Sequence, residues 1–170
     1  MNERAQLVLG IVGFVALCFL LMLRGWRNRQ RRQAFLPAPV PSPATATTVT
    51  GAVPGLFVGT TFAGRWLDRV AVHGLSDRAT ARLSLTDHGV KVDREGAEPL
   101  FMPYDDIDSA APGDALAGKV MGEDGLLLVT WRLGGTPLTS GFRADEHAEH
   151  AVLAAAITTH LPATTAQETR

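Results

Sequence analysis

Arg82-Leu-Ser-Leu-Thr86 alternates polar and apolar residues, Asp87-His88-Gly89 interrupts the alternation, and Val90-Lys-Val-Asp93 resumes it. A period of two sends successive side chains to opposite faces of an extended chain, and Asp, His and Gly in a row supply a turn. The stretch predicts a β-hairpin with Leu83, Leu85, Val90 and Val92 on its buried face. Similar segments surround it. Leu56 to Thr61 and Trp66 to Val72 read as strands before it, and Pro99 to Met102 as one after it, ended by Pro103. Gly125 to Leu133 carries the strongest strand signal, with Leu127, Val129, Trp131 and Leu133 on one face. Gly134-Gly135 then turns the chain into Pro137 to Phe142. The last element changes period. From Asp145, a good N-cap residue, to His160, the positions His150, Leu153, Ala154, Ile157 and Leu161 recur at helical spacing.

The N-terminus has a different character. Leu7 to Leu23 is an uncharged apolar run, and at ~1.5 Å per residue it spans about 25 Å, the short end of a membrane-crossing helix. Glu3 and Arg4 cancel before it, whereas Arg24, Arg27, Arg29, Arg31 and Arg32 follow it. A cleaved signal peptide has the opposite charge order, so a retained anchor is expected. The positive-inside rule then places the body of the chain in the cytoplasm, at the plasma (inner) membrane, with residues 1–6 as an extracytoplasmic stub. The arginines of residues 24–33 suffice as a topology signal and would also attract anionic lipid. The rest of the chain holds ten basic residues against sixteen acids, a balance that argues against nucleic acid as a partner. Cys18, the single cysteine, lies in the apolar run, so no intramolecular disulfide is available.

Between the two lies Ala34 to Val53, where Pro37, Pro39, Pro41 and Pro43 alternate ahead of an Ala/Thr stretch. With no apolar face and a polyproline bias, residues 34–53 are expected to be an extended spacer reaching as much as about 60 Å. Residues 54–161 would then form the domain, and residues 162–170 a disordered tail.

The segment ARLSLTDHGVKVDREGAEPLFMPYDDIDSAAPG (residues 81–113), the strand pair around Trp131 and the closing helix together resemble the pleckstrin-homology-like domains of bacteria. The layout of one span, an arginine cluster, a proline linker and such a domain is similar to a family of small actinobacterial membrane proteins. Their genes tend to lie in pyrimidine-biosynthesis clusters, and they are often labelled transporters or export proteins. The resemblance implies a mainly-β, two-sheet barrel of about seven strands capped by a C-terminal helix. It carries over no active-site residue.

Five groups of residues resemble chemical sites without the context such sites need. Gly113 to Val120 (GDALAGKV) reads as a phosphate-binding loop but has Val120 where a Mg²⁺-ligating Ser or Thr belongs; its context is acidic and turn-like, and a plain connection is expected there. His147 and His150 are three apart on a helix but lack a third ligand, so no metal is expected. Ser140 lacks a nucleophile elbow, and Asp105, Asp106 and Asp108 read as a solvated turn. Arg65 and Arg69 stand beside Asp68 in an acidic domain, a weak basis for phosphoinositide recognition. No enzyme and no cofactor are expected.

What is left is interaction. The reading is a membrane-tethered scaffold, adaptor or accessory subunit acting through protein contacts, with pyrimidine-pathway enzymes as clients by analogy. The alternative is an anionic-lipid or small-ligand sensor at the inner membrane, or an accessory component of a transport complex. Trp66 and Arg69 are the candidate partner contacts, because Trp and Arg dominate interface energetics. Against that, Trp66 is expected to fill the core with Phe57 and Phe142, as large aromatics usually do.

Overall fold

In the computed structural model, which describes residues 3–120 and 122–161, the chain divides into two units, residues 1–35 and 36–170. The first is one helix, α1 (Glu3–Arg32), whose part Gln6–Arg32 is long and apolar enough to cross a membrane and contains an 18-residue stretch with a mean hydropathy of 2.6. Its apolar side chains from Leu7 to Met22 are exposed apart from the half-buried Cys18. The helix runs on through the basic cluster, and Arg29, Arg31 and Arg32 in the last turn complement the negative end of the helix dipole.

The second unit contains β1 (Val53–Phe62), β2 (Arg65–Arg69), β3 (Ala79–Leu85), β4 (Gly89–Arg94) and β5 (Leu100–Pro103). A 3₁₀ turn at Tyr104–Asp106 leads into β6 (Ile107–Gly113), β7 (Ala115–Leu116), β8 (Lys119–Val120), β9 (Leu126–Leu133), β10 (Thr136–Ala144) and α2 (Glu149–His160). Seven strands form an antiparallel sheet in the order β5-β4-β3-β1-β10-β9-β6, and β2 branches from β1. β5 and β6 are the two ends of this sheet, so the expected barrel is not closed by hydrogen bonds. β7 and β8 make a separate hairpin.

The β3–β4 hairpin forms as its alternation demands. Leu83 pairs with Val92 and Leu85 with Val90, and all four are buried. The turn is held by the Thr86 hydroxyl, which accepts from the Gly89 backbone N–H and donates to the Gly89 carbonyl at 2.8 Å. The core gathers Phe57, these four residues, the Leu127–Val129–Trp131–Leu133 face of β9 and Phe142. α2 packs His150, Leu153, Ala154 and Ile157 inward, with Leu161 partly buried. A buried polar chain crosses this core: Trp131 Nε1–H donates to Ser140 Oγ at 2.9 Å, and Ser140 Oγ lies 2.8 Å from Thr60 Oγ1.

Four expectations change. The proline segment is not a free spacer over residues 36–50. Leu36 is 2% exposed in the main core, and His73 Nε2 lies 2.9 Å from its carbonyl oxygen. Val49 N–H donates to the Leu85 carbonyl, Leu85 N–H to Thr50 Oγ1, and Thr47 N–H to Asp87 Oδ1. The Thr/Val run thus continues the line of β1 along β3, so the compact unit begins at Leu36 rather than Pro54. Proline excluded a helix here but not an extended strap, which needs few backbone donors.

Of the acidic run read as a turn, Asp105 and Asp106 lie in the 3₁₀ turn, but Asp108 lies in β6, which pairs with β9 from Ile107↔Trp131 to Gly113↔Leu126. Its own residues carry little strand preference, and the strongly apolar β9 imposes the pairing. Gly113 to Val120 is neither phosphate loop nor plain connection: β7 and β8 meet there through Ala117 (φ 54°) and Gly118 (φ 73°), the left-handed pair of a tight hairpin turn. Asp145 does not cap α2, which starts at Glu149 without a side-chain cap; instead Asp145 N–H donates to the Pro54 carbonyl at 3.1 Å. The tail expected over residues 162–170 lies outside the described residues, as do Met1 and Asn2 of the stub.

Candidate functional site

On the outer face of the sheet, the β7–β8 hairpin builds a second small core against β1 and β9. Val58, Leu116, Ala117 and Leu126 are buried there, with Leu128 packed against them. The hairpin reaches the sheet because residue 141 is glycine; a Cβ at that position would come within 2.6 Å of Leu116 Cδ2. Arg69 clamps it. Its Nη2 and Nε donate to the Ala117 carbonyl at 2.8 and 3.2 Å, and Nη1 to the Ser76 carbonyl at 3.2 Å. The guanidinium is therefore committed to its own fold rather than turned toward a partner.

Trp66, expected in the core, is 46% exposed. Phe57, Trp131 and Phe142 already occupy the inner face, and Trp66 lies on β2, which pairs with β1 at only two positions and overhangs the sheet. Its neighbour Leu67 is 64% exposed and Val120 at the hairpin is 74% exposed. Sequence reasoning missed Leu67 and Val120; the clue was the adjacent pair Trp66-Leu67 within GRWLDR, which no period-two strand can bury on one face. Beside Trp66 an open groove of about 390 Å³ runs across the outer sheet face, floored by Thr61, Thr139 and Thr130.

The arginines flanking this region are engaged within the fold. Arg65 lies over the Phe62 ring at 4.9 Å and pairs with Asp68 at 3.4 Å. Arg94, on the other side of the sheet, is buried; it donates to the Glu98 carbonyl through Nε and Nη2 and to the Gly74 carbonyl at 2.6 Å. Burial lowers its pKa, while Asp77 and Glu98 oppose that shift. Arg65, Arg69 and Arg94 do not converge on one cavity as a phosphate site would require.

His147 and His150 meet edge to face, with centroids 5.4 Å apart. His150 is buried, and its Nε2 accepts the Ala144 N–H at 2.9 Å, so the ring proton belongs on Nδ1. The ring ties the end of β10 to α2. Burial lowers its pKa below 6.5, with His147 and Arg143 adding to the shift and Asp124 opposing it. As pH falls through 6.5 the unfolded chain takes up a proton that the folded chain refuses. Stability is therefore full above that point and declines until the lower folded pKa is reached. Thermal melts of residues 36–170 are expected to fall in Tm from pH 7.5 to pH 5, and His150→Met to flatten part of that slope.

The model of the family described as Bacterial PH domain-like matches residues 35–158. The chain belongs to that family. The match begins beside Leu36, where the compact unit begins, and includes the strap. No curated protein matches the chain. A PH-like domain is in general a membrane- or protein-binding module rather than a catalyst, which fits a surface of exposed apolar side chains. Of the positions singled out in the sequence, Leu7, Leu23 and the five arginines from Arg24 to Arg32 lie on α1, while Trp66 and Arg69 lie on β2.

Proposed function

We propose that this Bacterial PH domain-like protein is a non-enzymatic adaptor. α1 anchors it in the inner membrane with its domain on the cytoplasmic side, and it docks partner proteins through the exposed face of β2. The carrying observation is the exposure of Trp66, Leu67 and Val120 around an edge strand braced by Arg69. Exposed apolar side chains on a braced scaffold are what interface hot spots are made of. The cytoplasmic orientation rests on the arginines after the span, and α1 offers one helix and no intramembrane charge, so a transport role is that of an accessory subunit. The resemblance to actinobacterial proteins encoded with pyrimidine-biosynthesis genes makes enzymes of that pathway the first clients to test. Anionic-lipid sensing is the weaker reading, because Arg65 and Arg69 are already engaged within the fold.

The test is Leu67→Asp. The side chain is exposed, so the fold is expected to keep its Tm within about 2 °C, a surface-substitution effect. Partners that co-purify with the wild-type chain from the native membrane are expected to fall about tenfold or more, since a charge in an apolar contact costs at least about 1.4 kcal/mol. Unchanged co-purification would remove this face from the docking role.

A further inference from the structure

The groove beside Trp66 carries a row of hydroxyls that the apolar side chains of Leu67 and Val120 do not share. Thr61 pairs with Thr139, Thr139 with Thr130, and Thr130 with Ser109, so four hydroxyl side chains stand in one row across β1, β10, β9 and β6. Thr130 Oγ1 and Thr139 Oγ1 lie 3.2 Å apart, and a hydroxyl bonded once keeps further capacity. Thr61 differs from the others. It is 1% exposed, lines the groove, and its Oγ1 has no hydrogen-bond partner among the described residues. A buried hydroxyl left unpaired is costly, and such atoms mark places where a bound group completes the bonding. Trp66 lines the same groove, and no lining side chain is ionisable.

These features select the ligand. The absence of charge among the lining residues disfavours phosphates, carboxylates and ammonium groups, and the hydroxyl row disfavours a purely apolar chain. A neutral saccharide satisfies both conditions: its hydroxyls meet the Thr/Ser row, and the C–H face of its ring lies against the indole. The groove volume of about 390 Å³ falls within the range of small-molecule sites. We propose that this groove is a binding site for a neutral saccharide unit, with Thr61 Oγ1 as the anchoring hydrogen-bond group and Trp66 as the stacking wall. Trp66 belongs to both the groove and the docking face, whereas Leu67 and Val120 do not line the groove, so a change at Leu67 tests the two apart.

The test uses the full chain, labelled with 5-fluorotryptophan, in phosphatidylcholine nanodiscs free of sugar detergent. Trp66→Phe identifies the Trp66 fluorine signal, and maltotriose and N,N′-diacetylchitobiose are titrated in turn. At least one is expected to move the Trp66 signal saturably while the buried Trp131 signal stays in place. Thr61→Val preserves shape and removes only the unpaired hydroxyl, so it is expected to keep or raise the Tm while weakening binding about tenfold, as sites built for a hydroxyl do when the bond is lost. Leu67→Asp is expected to bind the saccharide like wild type. The proposal is overturned if neither saccharide moves the Trp66 signal, or if Thr61→Val binds as tightly as wild type.

Discussion

Trp131→Ala is expected to destabilise the domain by about 3–5 kcal/mol, the range for removing a large aromatic from a packed interior. Trp131 is 1% exposed and packs on the inner face of β9 among Leu127, Val129 and Leu133. It also heads the polar chain to Ser140 and Thr60, so truncation opens a cavity and removes a donor at once. Trp131→Phe separates the two effects. It refills most of the volume and loses only the indole hydrogen bond, at a cost of about 1 kcal/mol. Whole-domain stabilities are only about 5–15 kcal/mol, so the alanine variant should unfold at a clearly lower denaturant midpoint than wild type. Urea unfolding of residues 36–170 followed by circular dichroism checks both values.

Removing residues 36–51 is expected to cost about 3 kcal/mol, equivalent to roughly 10 °C in Tm for a domain of this size. Leu36 loses a fully buried position, and Leu85, Asp87 and His73 lose the backbone partners that the strap provides. A free tether would contribute nothing to stability, and its removal would leave the melt unchanged. Comparing residues 36–170 with residues 52–170 in one differential scanning experiment therefore decides between a strap and a spacer.

That strap marks the boundary of what local pattern could reveal. The β3–β4 hairpin, the β9 face and the α2 stripe were legible because each buries one side of an element, and burial on one side writes a period of two or 3.6 into the sequence. Leu36 is a single apolar residue followed by alternating prolines, and one residue has no period. β6 was hidden for a similar reason: Asp108, Ser109 and Ala110 become a strand only because β9 offers a free edge. At the candidate site, Trp66 was noticed for its size but placed inside, since the competition of Phe57, Trp131 and Phe142 for the same core appears only in three dimensions. Arg69 was noticed for its charge, whereas its role follows from the position of the Ala117 carbonyl, 48 residues away. The hydroxyl row had no signature at all. Thr61, Ser109, Thr130 and Thr139 are scattered along the chain, and sheet register alone assembles them.

The central claim, an adaptor whose domain faces the cytoplasm at the inner membrane, is tested most directly by fusing a promiscuous proximity-labelling enzyme to Arg170 in the native host. Recurrent tagging of the same few soluble cytosolic proteins, reduced in the Leu67→Asp chain, is the predicted result. Tagging confined to extracytoplasmic or cell-wall proteins would contradict the orientation, and with it the adaptor role.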